Sequence, residues 1–243
     1  MLSAVIVAAG RSRRMGFDKL MAELSGRPVL WHSIRAFLSL GELLRELVLV
    51  SSADRSGEME ALLHSAWMES GSSALCRVIA GGAERHLSVW EGLQALSGGG
   101  TDFVAVHDGA RPLVSEATIR GCWEMARQTG AACCAAPVPD TVKRADANQW
   151  VSASVDREGL WAMQTPQIFE ISRIVDAYAG LIRRGEAVTD EVSALQEAGG
   201  RVALFRNEDW NFKITFPRDL ELAEQVLRRR VGPITSESEG FPA

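Results

Sequence analysis

The chain has 243 residues, 47% hydrophobic and 23% charged, a composition that suits one large globular domain or a domain with a small appendage. With 31 acidic residues against 26 basic ones the net charge is -5, which argues against nucleic-acid partners, since those need a broad basic face. No apolar run approaches the roughly 18 to 20 residues that span a bilayer, and Met1-Leu2-Ser3 lacks the basic region of a signal peptide, so a soluble cytoplasmic protein with no membrane partner is expected.

Short apolar runs alternate with helical patterns from the start. SAVIVAA (3–9) reads as a strand, and RPVLWHSIRAFLSL opens a helix at Pro28, with Leu30, Ile34, Phe37 and Leu38 on one face. Strand LVLVSS (47–52), a helix over 57–69, strand CRVIA (76–80) and a helix over 84–96 follow, then strand FVAVH (103–107), a helix over 115–129 and strand AACCAAPV (131–138). Continuous apolar strands between helices imply an α/β fold with a mostly parallel sheet covered on both faces. Residues 137–165 are turn-rich and alternating, which predicts a β-arm at about 137–160 projecting from the sheet. Helical patterns return at 171–184 and 189–198, followed by strand RVALF (201–205) and a helix after Pro217 to about Arg230. A single domain over 1–230 with a disordered tail at 231–243 is expected. Cys76, Cys122, Cys133 and Cys134 form no CxxC pair, and the four histidines have no metal-ligand spacing, so any metal is expected on oxygen ligands.

Three stretches point to chemistry. AAGRSRRMGFDKL (8–20) gathers Arg11, Arg13, Arg14 and Lys19 between the first strand and the first helix, where ligands bind in open α/β sheets. It is neither of the common phosphate loops: Ser12 stands where a dinucleotide fingerprint needs glycine, and five residues separate Gly10 from Gly16 before Phe17. What remains is a loop with small residues, Gly10 and Ser12, whose amides approach phosphate oxygens while cations neutralise them; a solvated basic loop is the competing reading. VHDGARPLV (106–114) ends a strand on Asp108, a carboxylate suited to Mg²⁺ or to forming the turn, with Gly109 and the phosphate-directed fork of Arg111 beside it. AGGAERHLSVWEGL (80–93) opens a helix with Gly81 and Gly82, which let a flat base lie against the main chain or simply make the strand-to-helix turn, and Ser88 reaches in from the helix.

Taken with PVPDTVKR, VDREGLWAMQTPQ, TDEVS and NFKIT, these stretches resemble, in order, the 2-C-methyl-D-erythritol 4-phosphate cytidylyltransferases of the non-mevalonate route to isoprenoids. The resemblance covers nearly the whole chain. It implies a Rossmann-like nucleotidyltransferase sheet, CTP as co-substrate, Mg²⁺ or another divalent cation, and a homodimer whose arms complete the partner's site. It also makes Arg14 and Lys19 catalytic, as transition-state stabilisers on the triphosphate. Ala8, Ala9, Gly10, Ser12, Gly81, Gly82, Ser88, Asp108 and Gly109 are the implied CTP and metal contacts. Arg157 and Lys213 are implied as catalytic positioners of the methylerythritol phosphate, with Arg111, Thr141, Thr165 and Thr189 adding hydrogen bonds; Thr141 and Arg157 act in trans from the arm. Three features depart from the family pattern: only GFD precedes Lys19, Ser12 replaces a common glycine, and Ala83 replaces an aspartate often found after the double glycine. Two rival readings are a cytidylyltransferase for another polyol phosphate, such as ribitol 5-phosphate, and a non-catalytic nucleotide-binding module on the same fold.

Overall fold

The apolar run LSAVIV becomes the centre of a seven-stranded sheet. A computed structural model of the chain describes residues 1–10, 16–96 and 100–231. In chain order the first half comprises β1 (Leu2–Val7), a short hairpin of β2 (Glu23–Leu24) and β3 (Arg27–Pro28), α1 (Val29–Leu38), β4 (Leu44–Ser51), α2 (Ser56–Ser70), β5 (Leu75–Ala80), α3 (Arg85–Ala95) and β6 (Phe103–Asp108). The second half comprises α4 (Glu116–Thr129), β7 (Ala131–Pro137), β8 (Val142–Ala145), β9 (Val151–Val155), β10 (Trp161–Glu170), α5 (Ile171–Arg184), α6 (Glu191–Glu197), β11 (Ala203–Arg206) and α7 (Pro217–Val231).

The strands lie in the order β11-β7-β10-β6-β1-β4-β5. Within this sheet every pairing is parallel except those of β10, which runs antiparallel to both β6 and β7. Side chains alternate across a strand, so β1 serves two cores. Leu2, Ala4 and Ile6 face α1, α2 and α4, whereas Val5 joins Val48, Val50, Val104 and Val106 against α3 and α5. The stripe read on α1 is the buried one: Leu30, Ile34, Phe37 and Leu38 are at most 1% exposed, each worth about 2 kcal/mol of burial. A third, smaller cluster joins Leu24, Val29, Leu113 and Ile214 to Ala223 and Val226 of α7.

Most boundaries fall within two residues of the sequence reading, and the exceptions have physical causes. Pro28 caps α1 from extended backbone and does not open it. β4 starts at Leu44, three residues earlier than its apolar run, because Glu46 is fully buried and paired with Arg77 of the adjacent β5. β10 was not anticipated. Its polar Gln164-Thr165-Pro166-Gln167 stretch interrupts the apolar pattern, and the register with β7 shifts there, where a strand tolerates proline. The arm is therefore a two-stranded hairpin of β8 and β9, and the chain re-enters the sheet at Trp161. Cys122, Cys133 and Cys134 are buried, Cys76 is partly so, and all are unpaired, as expected of small apolar side chains. The residues of the expected tail beyond 231 lie outside the described residues.

Candidate active site

Three strand ends meet at one edge of the sheet. Ala8 continues β1, with its N–H donating to the Val50 carbonyl at 2.7 Å; Gly81 leaves β5, donating to Ser51 O at 2.7 Å; Gly109 leaves β6, donating to Val7 O at 3.0 Å. These ladder bonds continue past the strands and bring residues 7–10, 82–85 and 108–110 round a cavity of about 180 Å³, closed by Lys19, Ser88 and Lys213. A more open recess, reaching Ser52 and Asp54 and including Gly81, shares Ala9, Gly10, Gly82 and Ala83 with it. The position, beyond the carboxyl ends of parallel strands, is where open α/β sheets bind ligands.

Glycine is required at the double-glycine turn for packing. A Cβ at Gly82 would stand 2.5 Å from Leu87 Cβ, and one at Gly81 would stand 2.7 Å from Ser88 Oγ. Ser88, 1% exposed, donates to the carbonyls of Gly82 at 3.2 Å and Glu84 at 3.1 Å and so staples the turn to the first turn of α3. Its place at the cavity wall agrees with the sequence reading, and its hydroxyl is directed to the main chain.

Asp108 is the electrostatic centre. Its Oδ2 accepts from Lys213 Nζ at 2.8 Å, its Oδ1 accepts from Arg85 Nε at 3.2 Å and Nη2 at 3.1 Å, and Arg111 Nε lies 3.8 Å from Oδ2. Burial alone would raise its pKa, but the cations of Arg85, Lys213 and Arg111 hold it far below the usual carboxylate range. The residue stays ionised. Burial draws the pKa of Arg85 down, and the carboxylates of Glu191 and Asp108 more than restore it.

A strap between β11 and α7 ties the cations together. Asn211 O accepts from Arg111 Nη1 at 2.8 Å, Lys213 reaches Asp108, and Ile214 O accepts from Lys19 Nζ at 2.9 Å. Asn211, 2% exposed, donates through Nδ2 to Thr165 O at 2.8 Å and so fastens the strap to β10. Thr165, also buried, accepts from the Asp108 N–H at 3.1 Å and lies 2.9 Å from His107 Nδ1. Because His107 Nε2 faces the Arg111 carbonyl at 3.3 Å, the network assigns the proton to Nε2 and leaves Nδ1 to accept from the Thr165 hydroxyl. Burial pushes the His107 pKa down to about 3, so the ring is neutral.

Of the residues singled out in the sequence, Ala8, Ala9, Gly10, Lys19, Gly82, Ser88, Asp108, Gly109 and Lys213 line the cavity, and Gly81 lines the adjoining recess. Arg111 and Thr165 stand behind it, bonded to protein. Thr141, Arg157 and Thr189 are exposed and outside both, and the Arg157 guanidinium donates to Pro139 O at the root of the arm. Arg14 and Ser12, with Arg11 and Arg13, lie outside the described residues. Sequence reasoning missed Arg85, Glu191 and His107. A signal existed for two: Arg85 precedes inward-facing Ser88, Val89 and Gly92 at helical spacing, and Glu191 precedes inward-facing Ala194 and Leu195. A charge on a buried stripe requires a partner.

For a divalent cation, Asp108 is a single carboxylate, and no cluster of three or more His, Cys, Asp or Glu occurs among the described residues. That donor set fits Mg²⁺ held by one carboxylate with substrate phosphates supplying further oxygens, and does not fit an all-protein metal cage.

The family model described as IspD, 2-C-methyl-D-erythritol 4-phosphate cytidylyltransferase, matches residues 2–229. The chain is 37% identical over 233 residues to the 2-C-methyl-D-erythritol 4-phosphate cytidylyltransferase of Lachnospira eligens, covering 94% of this chain and 100% of that protein. Among solved structures it is similar to the 4-diphosphocytidyl-2C-methyl-D-erythritol synthase of Anaerococcus prevotii, with a TM-score of 0.80, 28% identity and coverage of 94% and 99%. It is also similar to the Thermus thermophilus 2-C-methyl-D-erythritol 4-phosphate cytidylyltransferase, with a TM-score of 0.74, 31% identity and coverage of 94% and 100%. The family match and these similarities extend along nearly the full length, and the chain belongs to the 2-C-methyl-D-erythritol 4-phosphate cytidylyltransferase family.

Proposed function

We propose that this enzyme transfers the cytidylyl group of CTP to 2-C-methyl-D-erythritol 4-phosphate, releasing pyrophosphate and 4-diphosphocytidyl-2-C-methyl-D-erythritol, and that residues 1–230 act as one domain in doing so. The observation that carries the residue assignments is the convergence of Lys19, Asp108 and Lys213 on one cavity, with Lys213 2.8 Å from Asp108 and Lys19 anchored on the adjacent Ile214 carbonyl.

The phosphate of the acceptor has a second pKa near ~6, so at neutral pH it is largely a dianion and attacks the α-phosphorus without a general base. The neutral, buried His107 is therefore not needed for proton transfer. A new bond forms between the acceptor oxygen and the α-phosphorus, and the bond from the α-phosphorus to the bridging oxygen breaks, leaving both electrons on pyrophosphate. Two barriers follow: bringing two anions together, and stabilising the charge of the leaving group. Lys19 and Arg14 serve the triphosphate, and Lys213 the acceptor phosphate. The amides and small residues of 8–10 and 81–82 let the nucleotide lie against main chain. Asp108 would hold Mg²⁺, which when bound supplies Lewis-acid neutralisation of triphosphate oxygens.

The arm supports a homodimer. Among the described residues β8 and β9 pair only with each other, and the turn between them and the start of β9 expose Trp150 at 74% and Val151 at 68%. Such apolar exposure suits a partner surface. Thr141 and Arg157, exposed and away from their own cavity, are assigned to the neighbouring subunit's site. The four unpaired cysteines support a reducing, cytoplasmic location. The test is pyrophosphate release by the purified protein with CTP and Mg²⁺, comparing 2-C-methyl-D-erythritol 4-phosphate with ribitol 5-phosphate. Preference for the first is expected; preference for the second would overturn the acceptor, and silence with both would overturn the reaction.

A further inference from the structure

Glu191 opens α6, is fully buried, and lies outside the cavity. Its carboxylate receives the Arg85 guanidinium bidentately, Nη1 to Oε1 at 2.7 Å and Nη2 to Oε2 at 3.1 Å. Tyr178 of α5 donates its hydroxyl to Oε1 at 3.1 Å. The main chain beneath is fixed as well: Gln167 Oε1, on β10, accepts from the N–H groups of Glu191 and Val192, each at 3.1 Å. Arg85 spends its remaining edge on Asp108 Oδ1, while Lys213 engages Oδ2. A planar guanidinium forked between two carboxylates fixes the direction of both, a task a lysine ammonium could not perform.

We infer that Glu191 is a positioning residue of the nucleotide site: through Arg85 it orients the Asp108 carboxylate, engaging Oδ1 and leaving Oδ2 to Lys213 at the cavity wall. The charge arithmetic gives the arrangement its purpose. Asp108 faces three cations, Arg85, Lys213 and Arg111. Without the buried counter-charge of Glu191, Arg85 would collapse wholly onto Asp108 and mask the carboxylate that the nucleotide complex uses. Glu191 makes no contact with the cavity, so its influence on catalysis must pass through Arg85. This inference rests on the nucleotide-site reading given above, and Glu191 would act on the CTP half of that site.

The experiment is a double-mutant cycle with Glu191→Gln, Arg85→Met and the double variant, read by steady-state kinetics with Mg²⁺ and by calorimetric CTP binding. Glutamine keeps the shape and can still accept from Tyr178. Removing one charge-assisted hydrogen bond predicts about a tenfold loss of kcat/KM for CTP in Glu191→Gln, with KM for the methylerythritol phosphate changed less than about twofold. In the Arg85→Met background, Glu191→Gln should produce no further loss in turnover or in CTP affinity. Losses that multiply, an equal effect on both substrates, or wild-type behaviour of Glu191→Gln would each overturn the inference. Should Glu191→Gln fail to fold, Tyr178→Phe replaces it in the cycle, with a loss of about threefold expected and again none beyond that of Arg85→Met. Absence of turnover by the unchanged chain would overturn the reaction itself, while the calorimetric cycle would still decide the role of Glu191.

Discussion

Acid should destabilise this protein chiefly through one buried ring, that of His107. His107 is fully buried between Thr165 and the Arg111 carbonyl, and burial pushes its pKa from 6.5 to about 3. Unfolding restores the ordinary value, so below pH 6.5 the unfolded chain binds a proton that the folded chain refuses. The stabilising contribution is complete above pH 6.5 and is lost progressively as pH falls towards 3. Relative to pH 8 the loss at pH 5 is about 2 kcal/mol, corresponding to a melting temperature lower by roughly 4–8 °C for a chain of this size. Asp108, held low by its cations, adds little until the pH nears ordinary carboxylate values, whereas His32, also lowered by burial, acts in the same direction as His107. The measurement is urea unfolding at pH 8 and pH 5 for the unchanged chain and for His107→Gln. The variant should be less stable at pH 8 but lose about 2 kcal/mol less between the two conditions. An unaltered pH dependence would refute the neutral, buried assignment and with it the proton placement that lets Thr165 hold the Asp108 main chain.

Lys19→Ala should depress turnover on the order of a hundredfold with little change in the urea midpoint, since one electrostatic contact to a leaving group is of that size; near-normal kcat in a folded variant would reject its role. Lys19→Ala and Arg157→Ala subunits, each nearly inactive alone, should recover activity on mixing, because one site in a mixed dimer can then be intact; no recovery after demonstrated subunit exchange would count against arms acting in trans. Gly82→Ala should cost roughly 1–3 kcal/mol and weaken CTP binding, since its Cβ would meet Leu87 Cβ at 2.5 Å and displace the turn at the cavity; unchanged stability by urea unfolding and unchanged CTP affinity by calorimetry would show the turn to be more pliant than its packing implies.

Local pattern was enough for the βαβ rhythm, because the runs that become β1, β4 and β6 are apolar on both faces and the α1 stripe has helical spacing. The small residues and charges at 8–10, 81–82 and 108–109, with Lys19, were legible for a similar reason, being local features of the segments that follow strands, whereas Lys213 came only through the family resemblance of NFKIT. What the sequence could not supply was pairing across long separations. β10 is antiparallel between two strands that precede it, and Glu46, Arg85 and Glu191 are charges whose burial makes sense only beside partners 31, 23 and 106 positions away. Thr165 shows the same limit: its hydroxyl belongs to Asp108 and His107, a direction set by the register shift in β10. The sequence by itself therefore determined most of the strands and helices and which loops gather small residues and charges beside strand ends. Only the tertiary structure decided which charges neutralise one another, because a buried ion pair depends on two side chains meeting in three dimensions and leaves no periodic trace in either segment.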